Sequence, residues 1–226
     1  MRVRVPKPLH GWRAFAGEVG VIVLGVLIAL GAQQVVQALQ WRGEVRDFRK
    51  AVDHELGRNL ETFQVRIDQN PCVARRVGEL DRLLTQSRSG RAPTPQRPIG
   101  RPAAFSGYFS VWDNKGGEIM DHLPLQQRTR YGELYDELRN DEKVLFNERE
   151  VWRSMALAEQ TEPLDHADRA RLRELLARAE QFNEVARPNY DYALTLARAL
   201  HVQPVGDPND THLASDDSFC QSLLAG

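Results

Sequence analysis

Glu18 is the residue whose placement makes the strongest chemical demand. It stands at the front of an uncharged run, Val19 to Ala32 (VGVIVLGVLIALGA). At that edge a carboxylate costs less than the roughly 2.5–3.5 kcal/mol of a charge at mid-bilayer. Helical spacing puts Glu18, Ile22, Gly25, Ala29 and Ala32 on one face. Gly25 and Ala29 form a small-xxx-small pair, which lets two helix backbones approach closely. The chemistry such a face serves is lateral association, with Glu18 pairing with a basic group or hydrogen-bonding across helices. The competing reading is an interfacial glutamate facing headgroups or Arg13. A proton relay would need a second polar group at depth, and only Gln33, Gln34 and Gln37 follow.

Cys72 and Cys220 are the only cysteines, too few for a disulfide-rich scaffold or a zinc ribbon. A bond between them would close a long loop and add on the order of 3–5 kcal/mol in an oxidising compartment; two buried free thiols are the alternative. Tyr131, Tyr135, Trp152 and Tyr190 form a candidate apolar pocket between helices. His54-Glu55 lacks the second histidine of a zinc-protease helix, because positions 57 and 58 are Gly and Arg. Asp165, His166 and Asp168 sit where a helix starts and read as capping and dipole partners. His212, Asp216 and Asp217 lie in a polar stretch and read as solvated. No glycine-rich phosphate loop, nucleophile elbow or Cys-x-x-Cys pattern occurs. No catalytic residue, cofactor or metal is therefore expected.

The elements that carry these residues follow from composition and period. The chain has 226 residues, 42 % hydrophobic and 27 % charged, as in a folded protein. Its formal net charge of −1 offers no field to gather nucleic acid. A mean hydropathy of −0.49 excludes a polytopic membrane protein but not a single span. Val19 to Leu39 is about 21 residues, or about 32 Å of helix, enough to cross a hydrocarbon core. Trp12 and Trp41 bracket it where interfacial aromatics are favoured.

Two other readings compete with an anchor. A buried core helix is one. A cleaved signal peptide is the other, with Arg2, Arg4, Lys7 and Arg13 as its basic leader and Ala29-Leu30-Gly31 as a small-x-small site. Against cleavage, apolar residues continue at helical spacing through Val45, Phe48, Val52, Leu56, Leu60, Phe63 and Ile67. The anchor reading is preferred. The acid-free leader favours an N-terminus inside and the remainder outside the cytoplasm, on a weak positive-inside difference.

The expected organisation is a basic cytoplasmic tail over 1–18, a transmembrane helix over 19–39, and a stem with a second helix over 40–86. A Pro/Arg-rich linker follows over 87–104, a helical bundle over 105–201, and a polar C-terminal tail over 202–226 with a last short turn around Phe219 to Leu224. Asn70-Pro71 should break the stem. Val73, Val77, Leu80 and Leu84 mark the second helix. Phe105 to Trp112 reads as one strand or the approach to a helix. A long helix is expected from near Pro124 to about Gln160, and another from Asp165, which Pro188 kinks or restarts. The fold class is all-α, an antiparallel bundle behind one membrane helix.

Gly17-Glu18, the run Gly25-Val26-Leu27-Ile28-Ala29-Leu30, then Trp41-Arg42 and a charged helix ending near Asn59-Leu60 resemble an uncharacterised bacterial membrane family. Trp112, Gly116-Gly117 and Tyr131 to Leu138 (YGELYDEL) are similar to it less distinctively. Gln33-Gln34 and Val35-Val36 depart from the pattern. The resemblance implies a single-pass inner-membrane protein with a helical extracytoplasmic domain, and no activity. The expected function is an interaction or scaffold module whose partners are membrane lipid and a second copy or another envelope protein, not nucleic acid. A ligand-sensing bundle and an envelope enzyme are the alternatives. The basic linker residues Arg88, Arg91, Arg97 and Arg101 either contact an anionic polymer or lipid, or are solvated.

Overall fold

A computed structural model describes residues 11–87, 95–158, 165–206 and 218–224. Its elements are α1 (Trp12–Asp68), α2 (Asn70–Ser87), α3 (Ser110–Asp113), α4 (Gly117–His122), α5 (Leu125–Ala158) and α6 (His166–Leu200). Among the described residues there is no strand, and the all-α class holds. The chain divides into two compact units, residues 1–48 and 49–226.

In the first unit, α1 is apolar on every side from Val19 to Ala32. All described side chains from Trp12 to Gln40 are exposed, including Val21 at 72 % and Ile28 at 63 %. A core helix hides at least one face, and this segment hides none. It is a helix long and apolar enough to cross a membrane.

The second unit is built on stripes. Along the rest of α1, Val52, Leu56, Leu60, Phe63 and Ile67 are buried at helical spacing. On α5, Tyr131, Leu134, Tyr135, Leu138, Leu145, Trp152 and Met155 are buried; on α6 the stripe runs from Leu172 to Leu200 and is rich in alanine. Helices α5 and α6 pack along their length and α2 also packs on α6. The α5–α6 pair is antiparallel, as Arg130 near the start of α5 donates to the Ala199 carbonyl near the end of α6.

Helix boundaries follow local chemistry. Pro71 falls in the first turn of α2, where its missing N–H is not needed. Asp165 caps α6, accepting from the Asp168 N–H at 2.8 Å while Asp168 accepts from the Asp165 N–H at 3.2 Å. Pro188 neither ends nor restarts the helix, because α6 is one element through it. Pro188 and Glu184 are both exposed, so water can satisfy the carbonyl that proline deprives of a donor. The segment Phe105 to Trp112 is irregular up to Phe109 and then turns into α3, with no strand among the described residues. Asn59 pairs with its backbone: its amide donates to the Tyr108 carbonyl and accepts the Tyr108 N–H, both at 2.7 Å.

The end of the chain carries the short turn expected around Phe219 to Leu224, but it is not a solvated polar tail. Val202, Phe219 and Leu223 are buried, and the last two join α2, α5, α6 and Ile99 in one apolar cluster. Likewise α2 belongs to the bundle rather than to a separate stem. The Val205 N–H donates to the Gly57 carbonyl at 2.9 Å, laying residues 203–205 against α1. A Cβ on Gly57 would sit 2.7 Å from the Gln203 carbonyl oxygen. Gly57→Ala should therefore destabilise the second unit by about 1–3 kcal/mol, seen as a lower urea midpoint at unchanged m-value.

Candidate functional site

In the first unit, Glu18, Ile22, Gly25, Ala29 and Ala32 lie on continuous helix and all are exposed. A Cβ on Gly25 would meet nothing within 4 Å. Among the described residues, none packs against this stripe.

In the second unit the buried polar groups are largely saturated by one another. Glu55, 5 % exposed, accepts from the Tyr135 hydroxyl at 2.7 Å and the Val111 N–H at 2.8 Å, with Ser110 and the Trp112 N–H at 3.3 Å. Asp53 accepts from the Tyr131 hydroxyl at 2.6 Å. Burial first, then these carboxylates, push both phenols well above the ordinary tyrosine range. Trp112 stacks on Tyr135 with ring centroids 4.9 Å apart.

Two arginines act as clamps. Arg66 is fully buried and holds Glu148 by both oxygens, Nε donating at 2.8 Å and Nη2 to the other oxygen, while Nη1 donates to Asn70 at 2.7 Å. Arg76 donates to the carbonyls of Pro98, Ile99, Phe219 and Gln221 at 2.5–3.1 Å. Glu79 beside it accepts the Ser222 hydroxyl at 2.6 Å and the Leu223 N–H at 3.0 Å. Cys72 and Cys220 are disulfide-bonded next to this clamp.

The four expected pocket aromatics are all buried, and among the described residues Trp152 and Tyr190 line two different spaces. Tyr131 and Tyr135 are packed against Trp112. Trp152 meets Phe219 edge-on and lines a solvent-open groove of about 430 Å³ with Pro98, Gly100, Arg101, Arg149 and Arg153. Arg153 is turned toward Glu150, 3.8 Å away, and Arg149 lies over Phe146. Tyr190 lines a separate cavity of about 20 Å³ between α1, α5 and α6. The reason is geometric: Tyr131, Tyr135 and Trp152 share α5, but Trp152 lies about 25 Å along the helix from Tyr135, and packed side chains fill the bundle between them.

Asp165 and Asp168 are engaged in the cap of α6. Among the described residues no group of three or more His, Cys, Asp or Glu could hold a metal ion. Arg97 and Arg101 are exposed; Arg88, Arg91, His212, Asp216 and Asp217 lie outside the described residues. Sequence reasoning missed Glu55, Arg66, Arg76, Glu79 and Glu148. Only their position on the apolar side of a helix could have flagged them, as charges that interrupt a buried stripe. Comparison with known proteins finds no matching family, curated protein or solved structure.

Proposed function

We propose that this chain is a single-pass protein of the bacterial inner membrane, with a cytoplasmic N-terminus and a periplasmic helical head that serves as an interaction or scaffold module. The observation that carries this reading is the apolar part of α1, none of whose described side chains is covered by the rest of the chain. Lipid is the solvent that makes such a surface favourable. The Cys72–Cys220 bond supports an oxidising compartment for the head, and the acid-free leader supports its orientation. The resemblance over residues 11–60 points the same way. The head's buried charges are engaged in holding helices together, which suits a rigid binding surface.

Lateral partners, a second copy or another envelope protein, would meet the span along Glu18, Ile22, Gly25, Ala29 and Ala32. Alkaline carbonate should leave the full-length protein in the membrane pellet, and a C-terminal alkaline phosphatase fusion should be active. A soluble, N-terminally shortened product would overturn the anchor, and an inactive fusion the orientation. Crosslinking in native membranes should capture an oligomer or a stoichiometric partner. Glu18→Gln or Gly25→Leu should reduce that species severalfold; an unchanged yield would reject the lateral face.

A further inference from the structure

Asp141 and Tyr190 stand apart from the saturated polar groups. Both line the cavity of about 20 Å³ between α1, α5 and α6, together with Arg66 and Asn189. That volume holds one water molecule. Asp141 is 6 % exposed and Tyr190 1 % exposed. Asp141 Oδ2 and the Tyr190 hydroxyl each have no hydrogen-bond partner among the described residues. Buried polar atoms are nearly always satisfied by protein or by ordered water, so two orphans facing one water-sized space identify a site.

The charges around it explain what the site responds to. From α1, Arg66 faces the cavity but is committed to Glu148 and Asn70, and the other α1 residues there, Phe63 and Ile67, are apolar. From α5, Glu137 lies one turn before Asp141 and adds like charge, while Glu148 is neutralised by Arg66. From α6, only the Asn189 amide favours the Asp141 charge; Arg187 and Asp191 act on Tyr190, as do Glu61 and Asp68 on α1. Asp141 is thus a buried carboxyl with an acidic neighbour and no cation of its own among the described residues.

We propose that Asp141 and Tyr190 form a proton-responsive joint between α5 and α6, built round a one-water site and tightened when Asp141 is protonated. The neutral carboxyl donates its O–H into the cavity, where a water or the Tyr190 oxygen accepts it. The ionised carboxylate has only Asn189, a single water and the Tyr190 O–H to replace its hydration. Burial, then the Glu137 charge, push Asp141 up to about 7, against the pull of Asn189. The folded carboxyl binds its proton more tightly than the unfolded one, whose ordinary value is 3.8. The contribution is therefore complete below about pH 4 and is lost as pH rises toward 7.

The test uses the full-length protein in detergent micelles, with urea unfolding of the head followed between about pH 5 and 8. The folding equilibrium constant should weaken by up to about tenfold per pH unit below 7, and Asp141→Asn should remove that part of the slope. Carbon-13 NMR of the labelled carboxyl should place the Asp141 transition near 7. Tyr190→Phe should raise it further, because the charged form loses a donor. Parallel pH profiles for wild type and Asp141→Asn would overturn the proposal. An Asp141 transition in the ordinary carboxylate range, or one unmoved by Tyr190→Phe, would overturn it too, and both readouts stand if Asp141→Asn fails to fold.

Discussion

Arg66→Met should cost the head about 3–5 kcal/mol, a fall in Tm of about 10 °C or more for a domain of this size. Arg66 and Glu148 are 0 % and 2 % exposed and meet through a two-toothed contact. The guanidinium fork matches both carboxylate oxygens, which compact lysine could not. The large effect comes from what is left behind. Without Arg66, Glu148 keeps its charge in a dry interior or takes up a proton, and either is costly. The double variant Arg66→Met/Glu148→Leu should recover most of the loss, since a buried pair exchanged for packed apolar groups is often neutral or stabilising. Single variants that lose under about 1 kcal/mol would show that water reaches the pair, as at exposed ion pairs. Because the partners are 82 residues apart, the same experiment measures how firmly α1 is tied to α5.

Breaking Cys72–Cys220 should remove about 5 kcal/mol by the chain-entropy relation for a separation of 148 residues. The comparison is denaturation with and without reductant, or of the Cys72→Ser/Cys220→Ser variant. Most of this stability arises in the unfolded chain, where the bond forbids expanded conformations. The folded state has a second hold on the same segment, the Arg76 and Glu79 contacts to residues 219–223. Reduction should thus lower the denaturation midpoint while amide exchange at Leu223 stays protected in native buffer. Loss of that protection on reduction would mean that the disulfide, not the clamp, seats the C-terminal segment.

These two expectations concern contacts that no local pattern announces. The stripes of α1, α5 and α6, the break at Asn70-Pro71 and the cap at Asp165 were legible because each depends on neighbours within a few residues. Periodicity also showed that Tyr131, Tyr135, Trp152 and Tyr190 face inward. It was silent on what stands opposite, and the pocket dissolved into packing, hydrogen bonds and two separate spaces. The run from 202 to 226 read as a polar tail because polar residues outnumber Phe219 and Leu223, yet those two apolar side chains join the core. Arg66 and Arg76 looked like ordinary charges on amphipathic helices until their partners, 82 and as far as 145 residues away, came into contact.

By itself, then, the amino-acid order determined an all-helical chain with one uncharged, bilayer-length segment, since hydrophobic period and backbone capping act over one or two turns. Only the tertiary structure decided which buried charges are matched, where the C-terminal segment docks, and that Asp141 and Tyr190 line one small cavity. Those outcomes depend on the free energy of burying a polar group, and that quantity has no value until the group opposite it is known.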